Sequence, residues 1–219
     1  MLKNFFRTAW RNLLANKTFS LINILGLALG LACSLVILLW LQDELDKDRF
    51  HLYDSRLYRV MENQNYSGEI STFESTPGLL AENIVKDIPE IQMASQFLWE
   101  EEPLFTVGNK LDKEKGRYAQ KDFLKMFSFK LIKGDPASAL DRPDGIVLSQ
   151  KLADKYFLGE EPIGKSIRID NKDNVTVTGV LAEIPEASSM KFDFIMSWEQ
   201  WLKDNDWAKE WGNNGPRCF

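Results

Sequence analysis

SLINILGLALGLACSLVILLW, residues Ser20 to Trp40, carries no charged side chain over about twenty positions. At about 1.5 Å of rise per residue, a helix of that length crosses a hydrocarbon core of about 30 Å. The stretch therefore predicts one membrane span, and the rest of the chain is read around it. The four charges before it, Lys3, Arg7, Arg11 and Lys17, are all basic. The positive-inside bias keeps such a flank in the cytoplasm and puts everything after Leu41 outside.

A cleaved secretory signal is a weaker reading, because its apolar region runs only about 7 to 15 residues and ends on small residues. Here the apolar run continues through LVILLWL. A lipoprotein signal at Gly30-Leu31-Ala32-Cys33 lacks both the large aliphatic residue three places before the cysteine and a polar stretch after it.

Wound at 100° per residue, Leu2 to Asn16 places Leu2, Phe5, Phe6, Ala9, Trp10 and Leu13 on one arc. Lys3, Arg7 and Arg11 share the opposite arc with Asn4, Thr8 and Asn12, and Leu14 falls off the apolar side. This predicts an interfacial helix over 1–18. Lys3, Arg7, Trp10, Arg11 and Lys17 would be its membrane contacts at the inner leaflet. The span itself is set at 19–41 and an external domain at 42–219.

Charge changes sign across the span. All 32 acidic residues follow it, with 23 of the 27 basic ones, leaving the external part at about −9. Nucleic acid needs a basic footprint and is excluded as a partner. Roughly 175 residues are enough for one domain with its own core. Cys33 lies in the span and Cys218 is penultimate, so no disulfide framework is expected. His51 has no second histidine or cysteine near it in sequence, and neither a metal nor a cofactor site is predicted.

The external part alternates helix and strand signals. PGLLAENIVKDIPEI from Pro77 reads as a helix, PLFTVGN as a strand and AQKDFLKMFSF as a short helix. IVLS leads as a strand into the helix SQKLADKYFLG, with Ser149 as N-cap and Gly159 as the stop. SIRID and VTVTGVL alternate at period two around Asn171-Lys172-Asp173-Asn174, a hairpin signature, and KFDFIMS is a further strand. The fold class is α+β: one N-terminal transmembrane helix followed by a mixed α/β domain.

Gly159-Glu160-Glu161-Pro162-Ile163-Gly164-Lys165-Ser166 satisfies GxxxxGK[ST] letter for letter. A phosphate loop works only after a strand and before a helix, whereas the predicted order here is reversed. Pro162 lacks an N–H, and Glu160 and Glu161 would face the phosphates, so a turn feeding a hairpin is expected. Within the span, Gly26, Gly30 and Ser34 recur every four residues, which would let another helix approach closely. Chance spacing of glycines in an apolar helix is the competing account.

Asp43, Glu44, Asp46 and Asp48 are interleaved with Lys47 and Arg49 and read as a solvated continuation of the helix. Trp198, Trp201, Trp207 and Trp211 read as aromatic core or subunit contact ahead of a carbohydrate or lipid platform. One histidine and no reactive cysteine leave no triad, and the chain is not expected to be an enzyme.

AWRNLLANKTFSLINILGLALGLACSLVILLWLQDEL, followed by DRFH and LYRV, resembles the N-terminus of permeases of the FtsX/MacB type. ADKYFLGEEPIGKSIRID and VTVTGVLAEIPEASSMKFDFIMS resemble the periplasmic core domain of the same family. The resemblance runs from Leu2 to about Trp211. It implies a permease dimer in the bacterial inner membrane with a cytoplasmic ABC ATPase subunit as partner, and with a periplasmic adaptor or substrate protein as a further partner. ATP hydrolysis would then move the periplasmic domain mechanically. Family members carry at least four spans and continue from the Trp-Gly-Asn region toward a Thr-Tyr strand, a sequence that Arg217-Cys218-Phe219 does not match. The external domain is accordingly expected to be incomplete at the C-terminus. A single-span sensor or scaffold binding an envelope partner is the alternative.

Overall fold

The computed structural model describes residues 2–219, with side chains from Lys3 onward. It divides into two compact units, Met1–Lys47 and Asp48–Phe219.

The first unit is helical: α1 (Leu2–Ala15) and α2 (Lys17–Asp46). Asn16, at φ −116° and ψ 56°, separates them. No residue of α2 is buried, as an apolar helix placed in lipid requires. At about 1.5 Å per residue its 30 residues reach about 45 Å, so the helix continues well past Leu41.

The second unit is built in chain order as follows. A hairpin of β1 (Glu62–Tyr66) and β2 (Glu69–Phe73) precedes α3 (Leu80–Asp87). Then come β3 (Gln96–Phe97), β4 (Leu104–Val107), β5 (Lys110–Lys113), β6 (Gly116–Ala119) and α4 (Phe123–Met126). β7 (Leu131–Lys133) and β8 (Gly145–Ser149) lead to α5 (Gln150–Phe157). β9 (Ser166–Ile169), β10 (Asp173–Leu181) and β11 (Phe194–Ser197) are followed by α6 (Trp198–Leu202) and β12 (Arg217–Cys218).

Among the described residues, ten strands form one mixed sheet in the order β12-β3-β6-β11-β8-β10-β9-β4-β5, with β7 also paired to β10. β11 runs parallel to β6, and β10 parallel to β8. The central strands are buried on both faces, which explains why IVLS and FIMS read as continuous apolar runs. Val147 and Ile195 point into a phenylalanine-rich core with Phe97, Phe123, Phe127 and Phe129. Ile146, Leu148, Phe194 and Met196 point into a second core, closed by Leu152, Tyr156 and Phe157 of α5. A register shift between Val177 and Gly179 turns β10 over. Val175 and Val177 accordingly pack in the second core and Leu181 in the first.

Local signals put most elements where the sequence predicts them. Ser149 caps α5 by accepting the Leu152 N–H, and Gly159 leaves the helix region at φ +78°. The β9–β10 turn sits one residue earlier than expected: Asp170 and Asn171 take φ +49° and +56°, and the Lys172 N–H donates to the Ile169 carbonyl. Aspartate and asparagine tolerate that left-handed region, which fixes the turn on this pair.

At the end of the chain, Arg217 and Cys218 pair antiparallel with β3, and Val60 N–H donates to the Cys218 carbonyl. Phe219 exchanges two backbone hydrogen bonds with Ser95, and its ring lies edge-on to Phe127 at 5.1 Å.

Candidate functional site

Gly26, Gly30 and Ser34 line one shallow groove along α2 with Ile22, Asn23, Leu27 and Leu31. A methyl group built on Gly26 or Gly30 would meet nothing within 4 Å. The Ser34 hydroxyl donates back to the Gly30 carbonyl at 2.9 Å, so the serine adds no polar group to the lipid face that is without a partner. On α1, Phe5, Phe6 and Trp10 are each about two-thirds exposed. Lys3, Arg7, Arg11 and Lys17 are exposed too. An amphipathic helix awaiting an interface has these properties.

Asp43, Glu44 and Asp46 continue α2 beyond the apolar stretch, as the sequence predicts. Asp48 does not. It adopts φ +59°, donates its N–H to the Ala187 carbonyl at 2.9 Å and accepts the Ser189 N–H on Oδ1 at 2.8 Å. Three residues on, the buried His51 ring lies among Phe50, Phe127 and Phe129. Its Nδ1 meets the Phe127 carbonyl, and the Leu52 N–H donates to Ser128 Oγ at 3.1 Å. Burial holds the His51 pKa below the usual 6.5, with the Phe127 carbonyl, Asp48 and Asp54 pulling the other way. The entry segment of the domain is thus clasped to two loops, 127–128 and 185–189. Sequence reasoning took His51 only as a metal candidate to dismiss; Phe127 and Phe129 reach it only through the fold.

The GxxxxGKS stretch is a turn between α5 and β9. The Gly164 N–H donates to the Val177 carbonyl at 2.8 Å and the Lys165 N–H to the Pro162 carbonyl at 3.1 Å, so amides that would cradle a phosphate are already used. Lys165 Nζ pairs with Glu160 at 2.7 Å, and Glu161 pairs with Lys133 at 2.7 Å.

The tryptophans divide. Trp198 and Trp201 are buried with Leu98 and Ala208, whereas Trp207 stands edge-on to Trp201 at 5.5 Å and Trp211 is exposed. Both cysteines are free, Cys33 exposed on α2 and Cys218 buried.

A helix long and apolar enough to span a bilayer, followed by this mixed sheet, is also what comparison with known proteins returns. The model of the MacB-like periplasmic core domain family matches residues 20–213. The chain belongs to this family.

A domain of a protein classed as a permease, from Porphyromonas gingivalis, superposes with a TM-score of 0.57 at 27% identity, over 68% of this chain and 64% of that one. The chain thus spans less than two thirds of that domain's length. The periplasmic region of MacB from Actinobacillus actinomycetemcomitans superposes with a TM-score of 0.51 at 18% identity, over 72% and 71% of the two chains. The extracellular domain of the noncanonical ABC-type transporter YknZ from Gram-positive bacteria gives 0.48 at 15% identity, over 66% and 72%. No curated protein sequence matches the chain. The MacB-like core domain is a component of ABC-type transporter permeases, and here it follows one N-terminal apolar helix that anchors it to the membrane.

Proposed function

We propose that the chain is the first span and periplasmic core domain of a permease subunit in an FtsX/MacB-type ABC transporter. A separate cytoplasmic ATPase would supply the energy, and export or envelope work would be done on the periplasmic side. The observation that carries the reading is the family match running without a break from the apolar helix into the sheet domain. In this reading residues 1–18 lie at the cytoplasmic face of the inner membrane, 19–41 cross it, and 42–219 are periplasmic. Lys3, Arg7, Trp10, Arg11 and Lys17 hold α1 in the inner leaflet, and Gly26, Gly30 and Ser34 form the contact with a neighbouring span, in a dimer or within the assembled permease.

The mechanical logic follows from stiffness. A continuous helix of 30 residues passes displacement along its length, and the segment it leads into is fixed at Asp48 by two hydrogen bonds and at His51 by a third. Within the sheet domain, the segment that follows the helix is thereby tied to the loops that carry Ala187, Ser189 and Phe127. Purification of the full chain from its own membranes in mild detergent tests the coupling. An ABC-type ATPase should copurify, with ATP turnover that falls when the chain is removed. Recovery of the folded chain with no nucleotide-binding subunit, and with turnover unaffected by its deletion, would overturn the proposal.

A further inference from the structure

The β1–β2 hairpin stands outside the large sheet, and among the described residues its strands pair only with each other. A two-residue turn at Ser67-Gly68, both at positive φ, fixes the register, with Gln64 facing Ser71 and Glu62 facing Phe73. Along an antiparallel pair, residues that turn their N–H and C=O inward alternate with residues that turn them outward. Tyr66 and Glu69, which flank the turn, are an inward pair, so Ile70 and Thr72 present the outer edge of β2. Their outward backbone groups make no hydrogen bond among the described residues.

Native sheets blunt exposed edges with charge, proline or a bulge, because an open row of backbone donors and acceptors recruits another strand. β5, at one end of the large sheet, is blunted by Lys110, Asp112 and Lys113. β2 is not. Glu69-Ile70-Ser71-Thr72-Phe73 has β-branched and aromatic residues, no proline and one charge, and Ile70 is 71% exposed. The outer edge of β1 is less suited, because asparagine disfavours strands and both of its asparagines are spent inside the hairpin. Asn63 Oδ1 accepts the Thr72 hydroxyl at 2.8 Å, and Asn65 Oδ1 accepts the Gly68 N–H at 2.9 Å.

A second copy of the same strand fits this edge. Antiparallel pairing about a two-fold axis at Ser71 sets Ile70 of each copy opposite Thr72 of the other and uses every outward N–H and C=O of both residues. The same register sets Glu69 opposite Phe73 and never opposite the other Glu69. A row across the four strands then reads Glu62, Phe73, Glu69, Tyr66, with a ring between the carboxylates. Glu74, next along the chain, is already neutralised by Arg59 and Arg217, each at 2.8 Å. We propose that β2 pairs antiparallel with β2 of a second copy, joining the two hairpins into one four-stranded sheet. Strands of five residues bury far less than the roughly 800 Å² per partner of a free-standing dimer, so the contact forms where the membrane anchor concentrates the copies. The inference rests on the anchoring in the permease reading and not on its ATPase, so the two fail separately.

Disulfide trapping in native membranes tests it, with the full chain carrying Cys33→Ser and coexpressed under two epitope tags. Partners in a non-hydrogen-bonded antiparallel pair lie about 4.5 Å apart at Cα, within disulfide reach. Ser71→Cys should therefore give, under copper phenanthroline, a dimer that carries both tags. Gln64→Cys should give none, because three strand spacings hold the two copies of that residue roughly 14 Å apart. Thr72→Pro, which removes an outward N–H and none of the hairpin's own bonds, should lower the Ser71→Cys yield several-fold. Ile70→Lys, which blunts the edge with charge, should do the same. No dimer from Ser71→Cys, a comparable dimer from Gln64→Cys, a yield unchanged by both edge variants, or a cross-link to a different protein would overturn the proposal.

Discussion

His51 Nε2 lies 3.8 Å from Asp48 Oδ1, buried and without a hydrogen-bond partner among the described residues, while Asp48 spends the same oxygen on the Ser189 N–H. The neutral ring, with its proton on Nδ1 facing the Phe127 carbonyl, fits this pocket; the protonated ring must be desolvated there. The unfolded chain takes up that proton near pH 6.5, and the folded one only at lower pH. The histidine's contribution to stability is therefore full above about pH 6.5 and declines as pH falls toward the lowered folded pKa. Thermal unfolding of the full chain between pH 7.5 and 5 should show Tm falling, and His51→Gln should flatten that slope. An identical slope in the variant would show that other groups carry it.

Gly116 faces Phe194 across the parallel β6–β11 pair, and a Cβ there would sit 2.4 Å from the ring. The ring is fully buried against Phe105 and cannot move aside cheaply. Gly116→Ala should cost about 1–3 kcal/mol through overpacking. Denaturant unfolding measures it, and an unchanged midpoint would mean that the two strands separate more readily than their packing indicates.

Topology can be read at Ser67, exposed at the tip of the β1–β2 hairpin. In a Cys33→Ser background, Ser67→Cys should react with an impermeant maleimide from the periplasmic side of intact cells once the outer membrane is permeabilised. The remaining Cys218 is silent because burial pushes its thiol up to about 12. Labelling only after the inner membrane is broken would reverse the proposed orientation.

Lys165 is held by Glu160 in a turn whose amides are already bonded. Titration with ATP and magnesium should give no saturable heat, and Lys165→Ala should unfold like the parent. Micromolar binding abolished by that substitution would establish a nucleotide site.

Gly30→Leu fills the groove beside Gly26 and Ser34. If a second span packs there, close backbone approach is lost and association in a membrane two-hybrid assay should fall several-fold relative to Val36→Leu, at matched insertion. Equal signals for the two variants, with the span itself and with later spans of an intact relative, would leave the groove facing lipid.

The sequence by itself determined the features whose causes are local. An uncharged run of about twenty residues is long and apolar enough to cross a bilayer, and Ser149 and Gly159 bound α5 because a cap and a positive φ act on their own helix. The weak strands escaped it. β5 has four exposed, mostly charged residues, and β3 and β12 two residues each; they exist because partners supply hydrogen bonds. Arg217-Cys218-Phe219 carries no strand period of its own, and its pairing with Ser95, Gln96 and Phe97 comes from the fold.

The tertiary structure alone decided what is brought together from afar. Asp48 meets Ser189, His51 meets Phe127, and Glu101, Tyr118, Asp170 and Trp201 share one cleft. Helix and strand periods reveal which face a residue occupies, but not which distant face it meets. That pairing follows from the order β6-β11-β8-β10, fixed by packing two cores against opposite faces of one sheet.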